Sequence, residues 1–200
     1  MDVWQYEQEA SQAGFRAVCG CDEAGRGPLA GEVAAAACIL PAGIEIKGLD
    51  DSKKLSEKKR EELFETIKEV ALAYAVATCS VEEIEEYNIL GAALLAMRRA
   101  VDQLQISPDF VLVDGNINRG FTLPSKAVIG GDAKSPNIAA ASILAKVTRD
   151  RICYELDEKY PMYGFAKHKG YATKEHREAI LKYGPCPVHR KLFLRKIINE

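Results

Sequence analysis

No run of apolar residues in the chain is long enough to cross a bilayer, because Lys, Arg, Asp or Glu interrupts each one. The first residues, MDVWQYEQEASQAG, lack a basic stretch followed by an apolar one, so they do not read as a signal peptide. No CxxC pair occurs among the six cysteines, at 19, 21, 38, 79, 153 and 186. With only the three histidines 168, 176 and 189 to join them, a zinc site is disfavoured. Scattered thiols fit reduced side chains and a cytoplasmic protein. Repeats, low-complexity tracts and long linkers are missing, which leaves one main domain in 200 residues. A global basic excess is absent too, since the formal net charge is −2.

What is present suits a folded enzyme-sized core, with 48% hydrophobic and 28% charged residues. The charge is unevenly spread. Residues 160–200 hold nine Lys or Arg against three acids, which is +6 and leaves −8 on the rest. A basic end on an acidic body suits a polyanion contact on one side, and equally a solvated C-terminal face.

Apolar runs at about 15–21 and 31–40 read as two strands joined by a glycine-rich turn. A helix capped by Ser56, a third strand at 71–79, a capping box from Ser80 to Glu83 and a longer helix capped by Asn88 follow. DFVLVDGN (109–116) and KAVIGGD (126–132) are short apolar runs ending in acid. Ser135 with Pro136 opens a helix to about Tyr160, and two shorter helices are expected near 173–183 and 190–198. Three neighbouring antiparallel strands, with a later strand parallel to the first, make a mixed α/β sheet flanked by helices.

Three strand ends deliver acid: Asp22 with Glu23, Asp114, and Asp132. In such sheets, ligands bind beyond the carboxyl ends of strands. Four converging carboxylates repel one another unless a divalent cation joins them, and oxygen ligands select Mg²⁺ or Mn²⁺ over zinc. Taken singly, Asp114 reads as well as an Asx turn, Asp132 as a charge near a helix start, and Asp22 with Glu23 as a solvated turn. The joint pattern favours a metal site. Asp22 and Glu23 would face opposite sides of a strand, so sharing a metal calls for a bend at Glu23. The backbone of Gly25, Arg26 and Gly27 can approach a ligand closely, and the Arg26 side chain suits phosphate. Ser52 and Lys53 offer groups for a backbone phosphate, or form a plain polar loop. Tyr171, among His168, Lys169 and Lys174, suits stacking on a sugar or base, or anchors the tail.

The blocks CDEAGRGPLAGEV, LDDSKKLS, VDGN, GGDAKSPNIAAASILAKVTRD and YGFAKHKGYATKEH resemble, in order and spacing, the ribonuclease HII family, the type 2 ribonucleases H. The resemblance runs from about 16 to 193. It implies an RNase H-like five-stranded mixed sheet as a catalytic domain over 1–160, with a small helical substrate-binding region over 161–200. It implies an endonuclease that cuts RNA in RNA–DNA hybrids and cuts duplex DNA 5′ of embedded ribonucleotides, using two metal ions, Mg²⁺ or Mn²⁺, and leaving 3′-OH and 5′-phosphate ends. Asp22, Glu23, Asp114 and Asp132 match the family's metal-binding acids. Gly25, Arg26 and Gly27 match its 2′-OH-sensing tripeptide, and Tyr171 matches the tyrosine on the neighbouring sugar. Leu192 stands where Ser is frequent, and Pro136 and Asn137 are less common choices. A monomer without membrane contact is expected. A structure-selective DNA nuclease of the same fold and a non-catalytic nucleic-acid binding module are the competing readings.

Overall fold

The computed structural model describes residues 3–49 and 55–198, and of 196 and 198 the backbone only. Ser52 and Lys53 therefore lie outside the described residues.

A single five-stranded sheet organises the chain, in the order β3-β2-β1-β4-β5. β1 (Val18–Ala24) and β2 (Val33–Ile39) pair antiparallel, as do β2 and β3 (Ala73–Cys79). β4 (Phe110–Asp114) and β5 (Ser125–Val128) add to β1 in parallel. β2 reads VAAAACI and is buried throughout, as expected of a strand covered on both faces. Val33, Ala35 and Ala37 meet Leu94, Met97 and Val101 of α3 (Val81–Asp102) on one side. Ala36 and Cys38 meet α2 (Glu57–Val70) and α4 (Pro136–Lys159) on the other.

The expected caps form. Ser56 Oγ accepts the Lys59 N–H to start α2. Ser80 and Glu83 close a reciprocal capping box. The helix capped at Ser80 and the one capped at Asn88 run together as α3, kinked at Asn88 (φ 57°, ψ 169°), whose side chain accepts from the N–H groups of Leu90 and Gly91. Ser135 caps α4 and Pro136 occupies its first turn. Asn137, an uncommon choice by family resemblance, ties the sheet together: its amide donates to Val18 O (3.1 Å) and accepts from Leu40 N–H (2.8 Å). Gly20 makes this approach possible, since a Cβ there would sit 2.3 Å from the Ile138 nitrogen.

Strands β1 and β5 and the first helix depart most from the sequence reading. β1 begins and ends three residues later than 15–21, so Asp22 and Glu23 belong to the strand itself. Backbone pairing of Asp22 with Ala36 and Glu23 with Ala35 extends the ladder past the apolar run. β5 stops at Val128, because Gly130 turns left-handed (φ 63°) and starts a 3₁₀ turn, Gly131–Ala133, that carries Asp132. A polar first helix, α1 (Gln5–Gln12), has no apolar stripe that the sequence would advertise.

Beyond α4 the chain forms α5 (Phe165–His168), α6 (Lys174–Tyr183) and α7 (Lys191–Ile198). Tyr163, Phe165, Ile180 and Leu194 make a small core there, and Leu29 and Ala30 from the β1–β2 loop complete it. The loop after β1 is thus packed into the C-terminal region. No helix among the described residues is long and apolar enough to cross a membrane.

Candidate active site

Where β1 ends, a cleft of about 600 Å³ opens between the sheet, α4 and the C-terminal region. Asp22, Glu23, Gly25, Arg26, Gly27 and Tyr171, from distant parts of the chain, all line it. Asp22 is 6% exposed. Burial first, then the charges of Glu23 and Asp114, push its carboxyl well above the ordinary carboxylate range. Its Oδ1 accepts the Glu23 N–H at 2.7 Å, and Ser142 of α4 also hydrogen-bonds to it. The ladder to β2 continues unbroken through Asp22, Glu23 and Ala24, so the strand does not bend at Glu23, yet both acids line the cleft.

Glu23 also borders a small recess shared with Asp114, Asn116 and Met97. Asp114 Oδ1 accepts the Gly131 N–H at 2.7 Å, across to the turn that follows β5. Asp132 follows Gly131 directly but lines a separate recess of about 430 Å³, with Trp4, Lys47, Gly48 and Ser135. The charges of Glu23 and Asp114 thus bear on Asp22, while Asp132 lies apart from these three in its own recess, where four converging acids were expected. Among the described residues no three His, Cys, Asp or Glu side chains are arranged to hold a metal ion as they stand. The Arg26 guanidinium pairs with Glu23 Oε1 at 3.1 Å.

The Gly25–Gly27 backbone is held from behind by Arg190, which the sequence reading assigned no role. This guanidinium is 0% exposed and donates to the carbonyls of Gly25 (2.6 Å), Arg26 (3.0 Å), Pro28 (2.8 Å), Gly31 (2.9 Å) and Glu32 (3.3 Å). In a trans peptide the carbonyl and the following N–H point oppositely. With the Gly25 and Arg26 carbonyls turned to Arg190, the N–H groups of Arg26 and Gly27 face away from it, on the cleft side. Neither N–H has a partner among the described residues. Gly25 adopts φ +100°, and a Cβ on it would lie 2.7 Å from Arg149 Nε. A second buried arginine, Arg149, gives its Nη2 to Ala30 O at 2.7 Å. The Tyr171 ring lies beside the tripeptide, 3.3 Å from where a Cβ on Gly27 would be, and is 48% exposed.

Ser142, Lys146, Arg149 and Asp150 also line the cleft from α4. Their spacing of four, three and one marks a polar stripe on a helix otherwise rich in Ala and Ile, the signal by which the sequence announces them. Lys146 pairs with buried Asp150 at 2.6 Å, and Arg60 stands 3.5 Å from the same carboxylate.

A family model described as ribonuclease HII matches residues 19–196. The chain belongs to the ribonuclease HII family. A ribonuclease HII of Clostridioides difficile is 52% identical over 193 residues, 96% of this chain and 76% of its own length. The ribonuclease H2 of Pyrococcus horikoshii superposes with a TM-score of 0.74 at 28% identity, covering 92% of this chain and 98% of that one. Bst-RNase HIII, solved in complex with Mn²⁺, shares the fold with a TM-score of 0.69 at 19% identity, over 88% of this chain and 65% of that one. The protein is thus a ribonuclease H, an endonuclease acting on RNA–DNA hybrids, on an RNase H-like fold.

Proposed function

We propose that, beyond hybrids, the protein incises duplex DNA on the 5′ side of single embedded ribonucleotides, leaving 3′-OH and 5′-phosphate ends. The observation that carries this is the common cleft: Asp22 and Glu23 share it with the Gly25–Gly27 backbone and Tyr171. The 2′-OH is the chemical difference between the two sugars, and a selective enzyme has to read it next to the bond it cuts.

The donor set fits divalent cations. Asp22 is buried beside two further carboxylates that repel it, an arrangement a dication on oxygen ligands relieves. Asp22, Glu23 and Asp114 would hold Mg²⁺ or Mn²⁺, with Asp132, which lines a separate recess here, turning in as the fourth ligand. When bound, a pair of such ions supplies activation of the attacking water and stabilisation of the leaving 3′-oxygen. The chain's own part is placement. Arg190 presents the Arg26 and Gly27 N–H groups as donors toward a sugar hydroxyl. Tyr171 lies against the neighbouring sugar and fixes which phosphate meets the acids. Lys146 and Lys169 bring positive charge to the same wall. In this scheme residues 1–160 carry the chemistry and 161–200 grip the substrate.

The test is a labelled duplex carrying one ribonucleotide, compared with an all-DNA duplex and a four-way junction. Cutting only the first, with Mg²⁺ or Mn²⁺ and not with chelator, is expected. Junction cleavage, or equal cutting of all-DNA duplex, would instead support a structure-selective nuclease. Tyr171→Ala should slow incision at the single ribonucleotide about tenfold, in line with the loss of one positioning contact.

A further inference from the structure

The three histidines of the chain are buried in the C-terminal region, and none lines the cleft. Backbone partners fix their protons. The Gly170 N–H donates to His168 Nδ1 (3.2 Å), so His168 donates from Nε2 to the Tyr163 carbonyl (2.7 Å). The Cys186 N–H donates to His189 Nδ1 (3.0 Å), so His189 also carries its proton on Nε2. His176 Nε2 must then accept from His189 Nε2 (3.1 Å), while its Nδ1 donates to the Tyr171 carbonyl (2.9 Å). Burial pulls His176 and His189 down to about 4, which keeps this pair neutral. His168 stacks on His176 with ring centres 4.3 Å apart.

These bonds form a mount for Tyr171. Its carbonyl takes the His176 ring and the Thr173 N–H (2.8 Å), and its own N–H donates to the His168 carbonyl (2.9 Å). At the other end, His189 pairs with Ala30 in an isolated antiparallel bridge, and the Arg190 N–H donates to Leu29 O (2.8 Å). A continuous path of hydrogen bonds thus runs from Tyr171 through two imidazoles to the loop that holds Gly25–Gly27.

We propose that His176 and His189 are positioning residues that register Tyr171 against the Gly25–Gly27 backbone, and so set how well the enzyme cuts at a single embedded ribonucleotide compared with a continuous RNA strand. The proposal rests on the reading of Tyr171 as the contact to the neighbouring sugar. A continuous hybrid offers many registers, so a tilted tyrosine still finds a productive one. An embedded ribonucleotide offers one register, in which tripeptide and tyrosine must be met together, and a misplacement of about 1 Å there costs up to about 10²-fold.

The experiment measures kcat and KM on both substrates for His176→Leu, His176→Asn and His189→Asn, each with and without Tyr171→Ala, alongside thermal melting. His176→Leu removes the donor to Tyr171. It should lower kcat on the single-ribonucleotide duplex about tenfold, with a smaller loss on hybrid, and lose nothing more in the Tyr171→Ala background. His176→Asn keeps a donor at the Nδ1 position and should stay within about threefold of wild type. His189→Asn keeps the acceptor for Cys186 and loses the donor to His176. It carries the same background comparison if His176→Leu does not fold. Losses that add to that of Tyr171→Ala, or that are equal on both substrates, would overturn the positioning role and leave the tyrosine reading standing. A Tyr171→Ala protein that incises at the wild-type rate would remove the tyrosine reading, and this inference with it.

Discussion

Asp22 and Arg190 are both nearly inaccessible to water, and both flank the loop after β1, yet the fold treats their charges in opposite ways. Burial and the like charge of Arg149 pull the Arg190 guanidinium down to about 9, yet five backbone carbonyls take its donors. Asp22 is placed beside Glu23 and Asp114, which raise its pKa on top of burial. A buried charge with complete partners is a piece of architecture. A buried charge set among like charges is maintained against the fold's own interest, which marks it as functional. The two meet in the Gly25–Gly27 segment, where architecture at the back presents chemistry at the front.

The comparison breaks most visibly at Asp22. Asp22→Asn should cost about 10³-fold or more in hybrid cleavage, the scale of losing a charged group aimed at the reacting centre. Its melting temperature should stay at or above that of the wild type, because an amide removes the repulsion from Glu23 and Asp114. A variant that melts well below wild type would put Asp22 in the same class as Arg190.

Arg190→Met should do the reverse. It strips donors from five carbonyls, and a loss of about 3 kcal/mol in chemical denaturation is expected from breaking a buried charged network. Arg190→Lys should recover only part of this, since an ammonium cannot reproduce the guanidinium fork. Wild-type stability in Arg190→Met would show that the loop holds its shape without it.

The imidazole pair gives a smaller, pH-tuned version of the same contrast. His176 and His189 titrate at about 4 in the fold, against an ordinary value of 6.5. Because the folded values are the lower ones, their contribution is complete above pH 6.5 and is lost as pH falls toward 4. About 2 kcal/mol should be gone by pH 5 for each imidazole, since both protonate in the unfolded chain before either does in the fold. Denaturation curves from pH 7.5 to 5 should show this slope, flattened in His176→Asn. An unchanged slope in that variant would place the titration elsewhere. His168, the Tyr163 hydroxyl and the Cys186 thiol are the other titratable groups against this pair.

Much of the architecture was legible because it is written in repeating patterns. The strand runs and the caps at Ser56, Ser80, Asn88 and Ser135 fall where periodicity and capping chemistry place them. What stayed hidden has no period. Arg190 and His176 look like surface residues in a basic tail, and only the fold shows them buried. The end of β1 was misjudged because Asp22 and Glu23 break the apolar run while the backbone ladder continues through them. Asp132 was expected at a strand end, and Gly130 carries it onto a turn instead.

The smallest effect sharpens the division between backbone and side chain within the tripeptide. Arg26 is exposed, and its guanidinium lies on Glu23 at 3.1 Å. An exposed pair of this kind is worth about 0.5 kcal/mol or less, so Arg26→Ala should melt within a degree or two of wild type. If the sugar is read by the N–H groups of Arg26 and Gly27, alanine keeps both donors, and incision should fall by about threefold at most. Gly25→Ala should be much worse, because its added methyl meets Arg149 at a φ that disfavours a side chain. Single-turnover rates on a one-ribonucleotide duplex separate the two variants. A loss of about 10²-fold in Arg26→Ala would move recognition from the backbone, held by Arg190, to the guanidinium itself.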